Sequence, residues 1–131
     1  MLNTITERPK CGEIWMCKLE KKEGSIQSGY RPVFVISNDK NNTYSTTLNI
    51  IPITSRQSKK NLPVHVKLYA YKDYGLSVPS TMLVEQIMTI NLEDMDKKLG
   101  AISDNETLKH ISDAIAIQFP VMMTSQAVHT A

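Results

Sequence analysis

No apolar run in the 131 residues approaches the length of a membrane-spanning helix. The segment Met1–Lys10 is polar and has no apolar centre, which excludes a secretory signal. Both absences point to a cytoplasmic chain with no membrane attachment. Cysteine is scarce, occurring only at Cys11 and Cys17. Read as lying on one strand, six residues apart, the two are too distant for a disulfide. Without a Cys-x-x-Cys spacing or a nearby histidine they make a poor zinc site, and two small apolar residues in a reducing compartment is the simpler account. No acidic cluster has metal-binding spacing, which weighs against a two-metal mechanism, and no cofactor is expected. A glycine-rich phosphate loop leading into a helix is also missing. There are no internal repeats or low-complexity tracts, and the length suits one domain.

What is present is ordinary in bulk and uneven in detail. Hydrophobic residues make up 41% and charged residues 21%, as in a soluble globular protein. The formal net charge is only +2. Residues 1–67, however, hold 11 Lys/Arg against 5 Asp/Glu, whereas residues 68–131 hold 4 against 8. A basic half fits a local anionic partner such as a nucleic-acid backbone. Taken alone, it fits solvated lysines on loops equally well.

Periodicity predicts a β-rich domain with one helix. Gly12–Leu19 alternates, with Ile14, Met16 and Lys18 on one side and Trp15, Cys17 and Leu19 on the other, as a half-buried strand does. A polar loop, Glu20–Arg31, follows. Pro32 then opens a β-branched run to Ser37, at the first position of a strand, where proline is tolerated. Asn38–Thr43 is turn chemistry. Thr47–Ile53 and Val64–Leu68 read as strands, and Thr81–Ile90 as one or two more, after a turn at Tyr74-Gly75. Ser103-Asp-Asn-Glu106 has the form of a capping box, with Ser103 as the cap. Behind it Leu108, Ile111, Ile115 and Phe119 recur at helical spacing until Pro120 stops the run. The expected organisation is an N-terminal segment 1–11, a single domain 12–119, and a flexible tail 120–131. Short strands followed by one helix imply a mainly β (α+β) fold, a small barrel or curled sheet.

Four features carry chemistry. Gly24-Ser-Ile-Gln-Ser-Gly-Tyr-Arg-Pro32 is a polar loop that delivers Arg31 at the mouth of a strand, and the planar fork of arginine suits phosphate. From the residues alone, Arg31 is as readily a surface arginine paired with a carboxylate. Pro52-Ile-Thr-Ser-Arg56 places hydroxyls and Arg56 at a strand end, where they reach phosphate oxygens or satisfy turn backbone. His65, between two valines, is more often a structural hydrogen-bonder than a catalyst; neither His110 nor His129 offers it a partner. Gln86, in Glu85-Gln-Ile-Met-Thr89, suits either a base edge or neighbouring backbone.

These segments, in this order, resemble the MazF/PemK toxins of bacterial toxin–antitoxin pairs. The resemblance rests on Gly12-Glu-Ile-Trp15, Gly24-Ser-x-Gln-x-Gly-x-Arg-Pro32, Val35-Ile-Ser-Asn-Asp39, Pro52-Ile-Thr54, Leu62-Pro-x-His65 and Glu85-Gln-Ile-x-Thr89. It implies an SH3-like barrel acting as a homodimer and held in check by a MazE-like antitoxin. It implies ribosome-independent cleavage of single-stranded mRNA at a short sequence, without metal, giving 2′,3′-cyclic phosphate and 5′-hydroxyl ends. The family's essential arginine and threonine fall on Arg31 and Thr54. Ser25, Gln27, Asn38 and Gln86 match its RNA-contacting positions, and Arg56 and His65 are added here as RNA-binding candidates. Two departures stand out: Ile26, where the family commonly has Glu, and Met88, where many members have Arg. Both imply a cleavage sequence that does not transfer from relatives. The competing classes are a gyrase-poisoning toxin of the CcdB type and a non-catalytic RNA-binding module on the same scaffold.

Overall fold

A computed structural model describes residues 7–56 and 61–121. Seven strands run in the order β1 (Glu13–Leu19), β2 (Gly29–Val35), β3 (Thr47–Thr54), β4 (His65–Leu68), β5 (Ser80–Leu83), β6 (Met88–Asn91) and β7 (Met95–Ala101). A short helix α1 (Asp39–Tyr44) joins β2 to β3, and the helix α2 (Asn105–Gln118) closes the described chain. Every strand pairing is antiparallel, in the order β4-β5-β3-β2-β1-β7, with β6 also on β3.

The strand edge beside β3 explains the ambiguity of Thr81–Ile90. Ile53 faces Met82 on β5 and Ile50 faces Met88 on β6, so three steps along β3 answer six along its partner. The surplus forms a 3-10 turn, Val84–Gln86. One antiparallel edge is thus interrupted by a bulge that lifts Glu85 and Gln86 out of the ladder.

The sheet does not close into the expected barrel: no ladder joins β7 to β4 among the described residues. The 3-10 turn Tyr71–Tyr74 with Gly75 packs against β7 instead. A Cβ at Gly75, where φ is +80°, would lie 2.0 Å from the Leu99 carbonyl oxygen, and one at Gly100 would lie 2.4 Å from that of Tyr74. The seam is therefore sealed by backbone contact that only glycine permits.

Two cores lie on opposite faces, as strand alternation requires. Ile14, Phe34, Ile51, Ile53 and Met82 face α2, whose Ile111 and Ala114 are buried against them. Trp15, Cys17, Val33, Val35, Leu48 and Ile50 form the other. Phe119, by contrast, stays partly exposed beyond the helix end rather than joining the stripe.

Several local expectations are corrected. Cys11 lies in the turn before β1 rather than on it, while Cys17 is buried in the strand; both thiols are free. Pro32 is the fourth residue of β2, not the first. The β2–β3 ladder begins only at Val33, so at Pro32 the strand has a neighbour on one side, which lessens the cost of a missing N–H. Asn38–Thr43 is not a simple turn: Asn38 caps α1 by accepting the Asn41 N–H at 2.8 Å. The cap of α2 is Asp104, one residue after Ser103; its carboxylate accepts the Thr107 N–H at 3.0 Å. Asp104 wins because its second oxygen takes the Tyr74 hydroxyl at 2.6 Å, tying the helix to the seam turn. The strand β7 went unassigned because Met95–Ala101 has no clean alternation, and its pairing with β1 shifts register twice. Arg8, in the N-terminal segment, donates to the Asn42 carbonyl at 2.7 Å and anchors that segment to α1. Apart from Pro120 and Val121, the C-terminal tail lies outside the described residues.

Candidate active site

Val33 faces Pro52 and Val35 faces Ile50 across β2 and β3. By strand alternation Arg31 lies on the face of Val33 and Val35, and Thr54 on that of Pro52 and Ile50. Strand periodicity therefore converges the two side chains from segments 23 residues apart. Both line a concave pocket of about 460 Å³, together with Ser25, Gln27 and Arg56 and with Gly24, Ile26 and Ser28 of the same loop.

Arg31 is half-buried, and burial pushes its pKa down from the ordinary arginine value. Its Nε donates to the Ser28 carbonyl at 2.8 Å, which fixes the fork. No ion pair reaches it among the described residues, so the carboxylate-paired surface arginine is not what the fold builds. The result is a guanidinium oriented by backbone and open to an anion. Thr54 Oγ1 accepts the Arg56 N–H at 3.1 Å, the turn-satisfying role weighed for it above. That bond occupies a lone pair and leaves the hydroxyl proton to donate elsewhere. Arg56 itself is exposed at the rim.

Gln86 serves backbone. Its Oε1 accepts the Gln27 N–H at 2.8 Å and its Nε2 donates to the Ser25 carbonyl at 3.0 Å, so both ends of the amide are spent on the loop. Asn38 and His65 lie outside this pocket's lining. Asn38 is occupied as the cap of α1. His65 Nε2 sits 2.9 Å from Glu85 Oε2, while His65 Nδ1 and Glu85 Oε1 are buried without hydrogen-bond partners among the described residues. This is the structural-hydrogen-bonder alternative for a strand histidine. Met88 packs against the second core rather than lining the pocket. Ser28 was missed as a contributor because it acts through its carbonyl; the adjoining Gly29, at φ +85°, marks the turn that aims it. Among the described residues no three His, Cys, Asp or Glu side chains gather at a metal site, and no helix is long and apolar enough to cross a membrane.

Residues 10–119 match the family described as PemK-like, MazF-like toxin of type II toxin-antitoxin system. The chain belongs to that family. It is 38% identical over 106 residues to a protein named endoribonuclease MazF from Staphylococcus saprophyticus, an alignment spanning 81% of this chain and 87% of the relative. The fold agrees with solved MazF structures. The Deinococcus radiodurans MazF superposes with a TM-score of 0.69 at 21% identity, covering 85% of this chain and 96% of that one. The Mycobacterium tuberculosis toxin MazF-mt6 gives 0.68 at 21%, covering 82% and 96%. A mycobacterial endoribonuclease solved in complex with its cognate antitoxin gives 0.64 at 19%, covering 86% and 95%. The antiparallel sheet with its C-terminal helix thus matches the fold of these solved MazF structures.

Proposed function

We propose that this MazF-like toxin is an endoribonuclease that cuts single-stranded mRNA at the pocket between the loop 24–28 and the ends of β2 and β3. The observation that carries this reading is that Arg31, a partly buried guanidinium with no carboxylate partner among the described residues, lines the same pocket as Thr54. The RNA 2′-hydroxyl attacks the adjacent phosphorus, the 5′-oxygen of the next nucleotide leaves, and a 2′,3′-cyclic phosphate and a 5′-hydroxyl result. Negative charge gathers on the phosphoryl oxygens in that step. Arg31 stabilises it by charge and Thr54 by donating its hydroxyl proton; one such donor contributes roughly 2.7–4 kcal/mol in comparable sites. Arg31 stays protonated and acts as an electrostatic clamp rather than a base. The loop and the clamp hold the nucleophile in line. DNA lacks the nucleophile and is not cut.

Ser25 and Gln27, on the pocket wall, contact the substrate, and Arg56 at the rim holds its backbone. The gyrase-poisoning alternative gives no account of a cleft lined by an arginine without a carboxylate partner among the described residues and a threonine hydroxyl. A cognate MazE-like antitoxin and a second copy of the chain are the expected protein partners. The exposed apolar residues Ile117, Phe119 and Val121 at the end of α2 offer surface for one of them. Purified protein incubated with single-stranded RNA in excess EDTA is expected to yield cyclic-phosphate ends at a defined sequence. Intact RNA under those conditions, restored to cleavage by added divalent metal, refutes the metal-free mechanism.

A further inference from the structure

The loop 24–28 forms one wall of the pocket, yet it lies between strands with no ladder of its own. Its attachment comes from the bulge on the far strand edge. Gln86 spends its whole amide there: one end takes the Gln27 N–H, the other the Ser25 carbonyl. The two bonds straddle Ile26, which is half-exposed and lines the pocket. A third bond, Arg31 Nε to the Ser28 carbonyl, joins the other end of the loop to the guanidinium. The bulge is itself tied down, because Glu85 is paired with His65 on β4. An unbroken path of contacts thus leads from β4 through Glu85 and Gln86 to the loop and on to Arg31.

We propose that Gln86 is a positioning residue: it clamps the loop 24–28 in place, presents Ile26 to the pocket, and through Ser28 sets the orientation of Arg31. It acts through the loop, on whose backbone both ends of its amide are spent, and the inference rests on the pocket being the RNA site. The bulge makes this contact possible, since an unbroken β5–β6 strand would keep Gln86 within the ladder. An apolar Ile26 held at the mouth favours contact with a base face or ribose over a hydrogen-bonded base edge, and it adds no negative charge beside the phosphate.

The test compares wild type with Gln86→Leu and Gln86→Glu. Leucine keeps the bulk and removes both bonds; glutamate keeps the acceptor for Gln27 and loses the donor to Ser25. Limited trypsin digestion after Lys21 and Lys22, at the head of the loop, reads loop attachment without any RNA. With two backbone bonds lost, Gln86→Leu is expected to be nicked there about tenfold faster, with Gln86→Glu between. On RNA, kcat/KM falls about tenfold or more, and by the same factor on every sequence that wild type cuts, because the loop rather than one base contact is loosened. Circular dichroism monitors the fold, and the glutamate variant decides the case should the leucine variant not fold. Unchanged nicking, together with an altered order of preferred RNA sequences, would overturn the proposal and make Gln86 a base-reading group. Unchanged nicking and unchanged rates would overturn it as well. If wild type itself leaves RNA intact, the nuclease reading fails, while the trypsin comparison still decides the clamp.

Discussion

At the scale of single residues, the pocket separates cations by what already holds them. Lys98 is committed to Glu13 at 2.9 Å and Lys109 to Asp113 at 3.0 Å. Arg31 and Arg56 have no such carboxylate among the described residues. Arg31 is oriented and partly desolvated, which strengthens its field on a phosphoryl group; Arg56 is exposed and screened. The two are therefore expected to fail differently on removal. Arg56→Ala weakens RNA affinity uniformly across sequences and lowers the slope of log K against log salt by about 0.7, one phosphate contact on a single strand. Titrations of RNA binding at several salt concentrations check this, and an unchanged slope removes Arg56 from the interface. By composition and position Arg31 and Arg56 both read as basic residues at strand ends; the resemblance alone distinguished them, and the fold adds that Arg31 is partly buried and held by the Ser28 carbonyl whereas Arg56 is exposed.

At the scale of elements, α2 is fastened at its start. Asp104 accepts from Thr107 and Tyr74, and those hydrogen bonds, the Thr107 side chain's foremost, hold its carboxyl down at about 2. The folded pKa lies below the unfolded value of about 3.9, so the stabilisation is present above the unfolded pKa and is lost as pH falls through about 2. Asp104→Ala is expected to destabilise the protein by about 1 kcal/mol at pH 7, the usual worth of an N-cap. Denaturant melts of both proteins should converge as pH approaches 2. A difference that persists unchanged there contradicts the assignment. The strands with plain alternation, β1 and β4, were legible, as was the helix from its spacing of Ile111 and Ile115. The misplaced cap shows where such reasoning stops. Ser103 and Asp104 are both good caps by type, and Tyr74, thirty residues away, decides between them. The strand β7 escaped because its pairing with β1 contains irregularities that blur the period of two.

At the scale of the whole molecule, the sheet leaves its seam to a turn, its cores to two faces, and its site to one end of β2 and β3. Of the two forms the strand pattern allowed, a small barrel or a curled sheet, the fold is the open one, and the SH3-like barrel implied by the resemblance was right in family and too closed in detail, because the Tyr71–Gly75 turn occupies the place of a ladder. The candidate site was legible only as a set of motifs. The fold drew Ser25, Gln27, Arg31, Thr54 and Arg56 together and left Asn38 and His65 to capping and to Glu85. Exposed Ile117, Phe119 and Val121 add an apolar surface outside both cores. Light scattering on the purified chain is expected to give twice its 14.8 kDa mass. A single-chain mass at micromolar concentration contradicts the homodimer.

The central claim is that one guanidinium and one hydroxyl act on the same phosphate, and a double-mutant cycle on cleavage rate tests it most directly. Arg31→Ala and Thr54→Val are each expected to lower kcat by about 10² to 10³ while the protein stays folded, as removal of one transition-state donor does elsewhere. If the two donors meet on one group, the double variant loses far less than the product of the single losses, a coupling of about 1 kcal/mol or more. Losses that multiply, or a wild-type rate from either single variant, would contradict a shared phosphate.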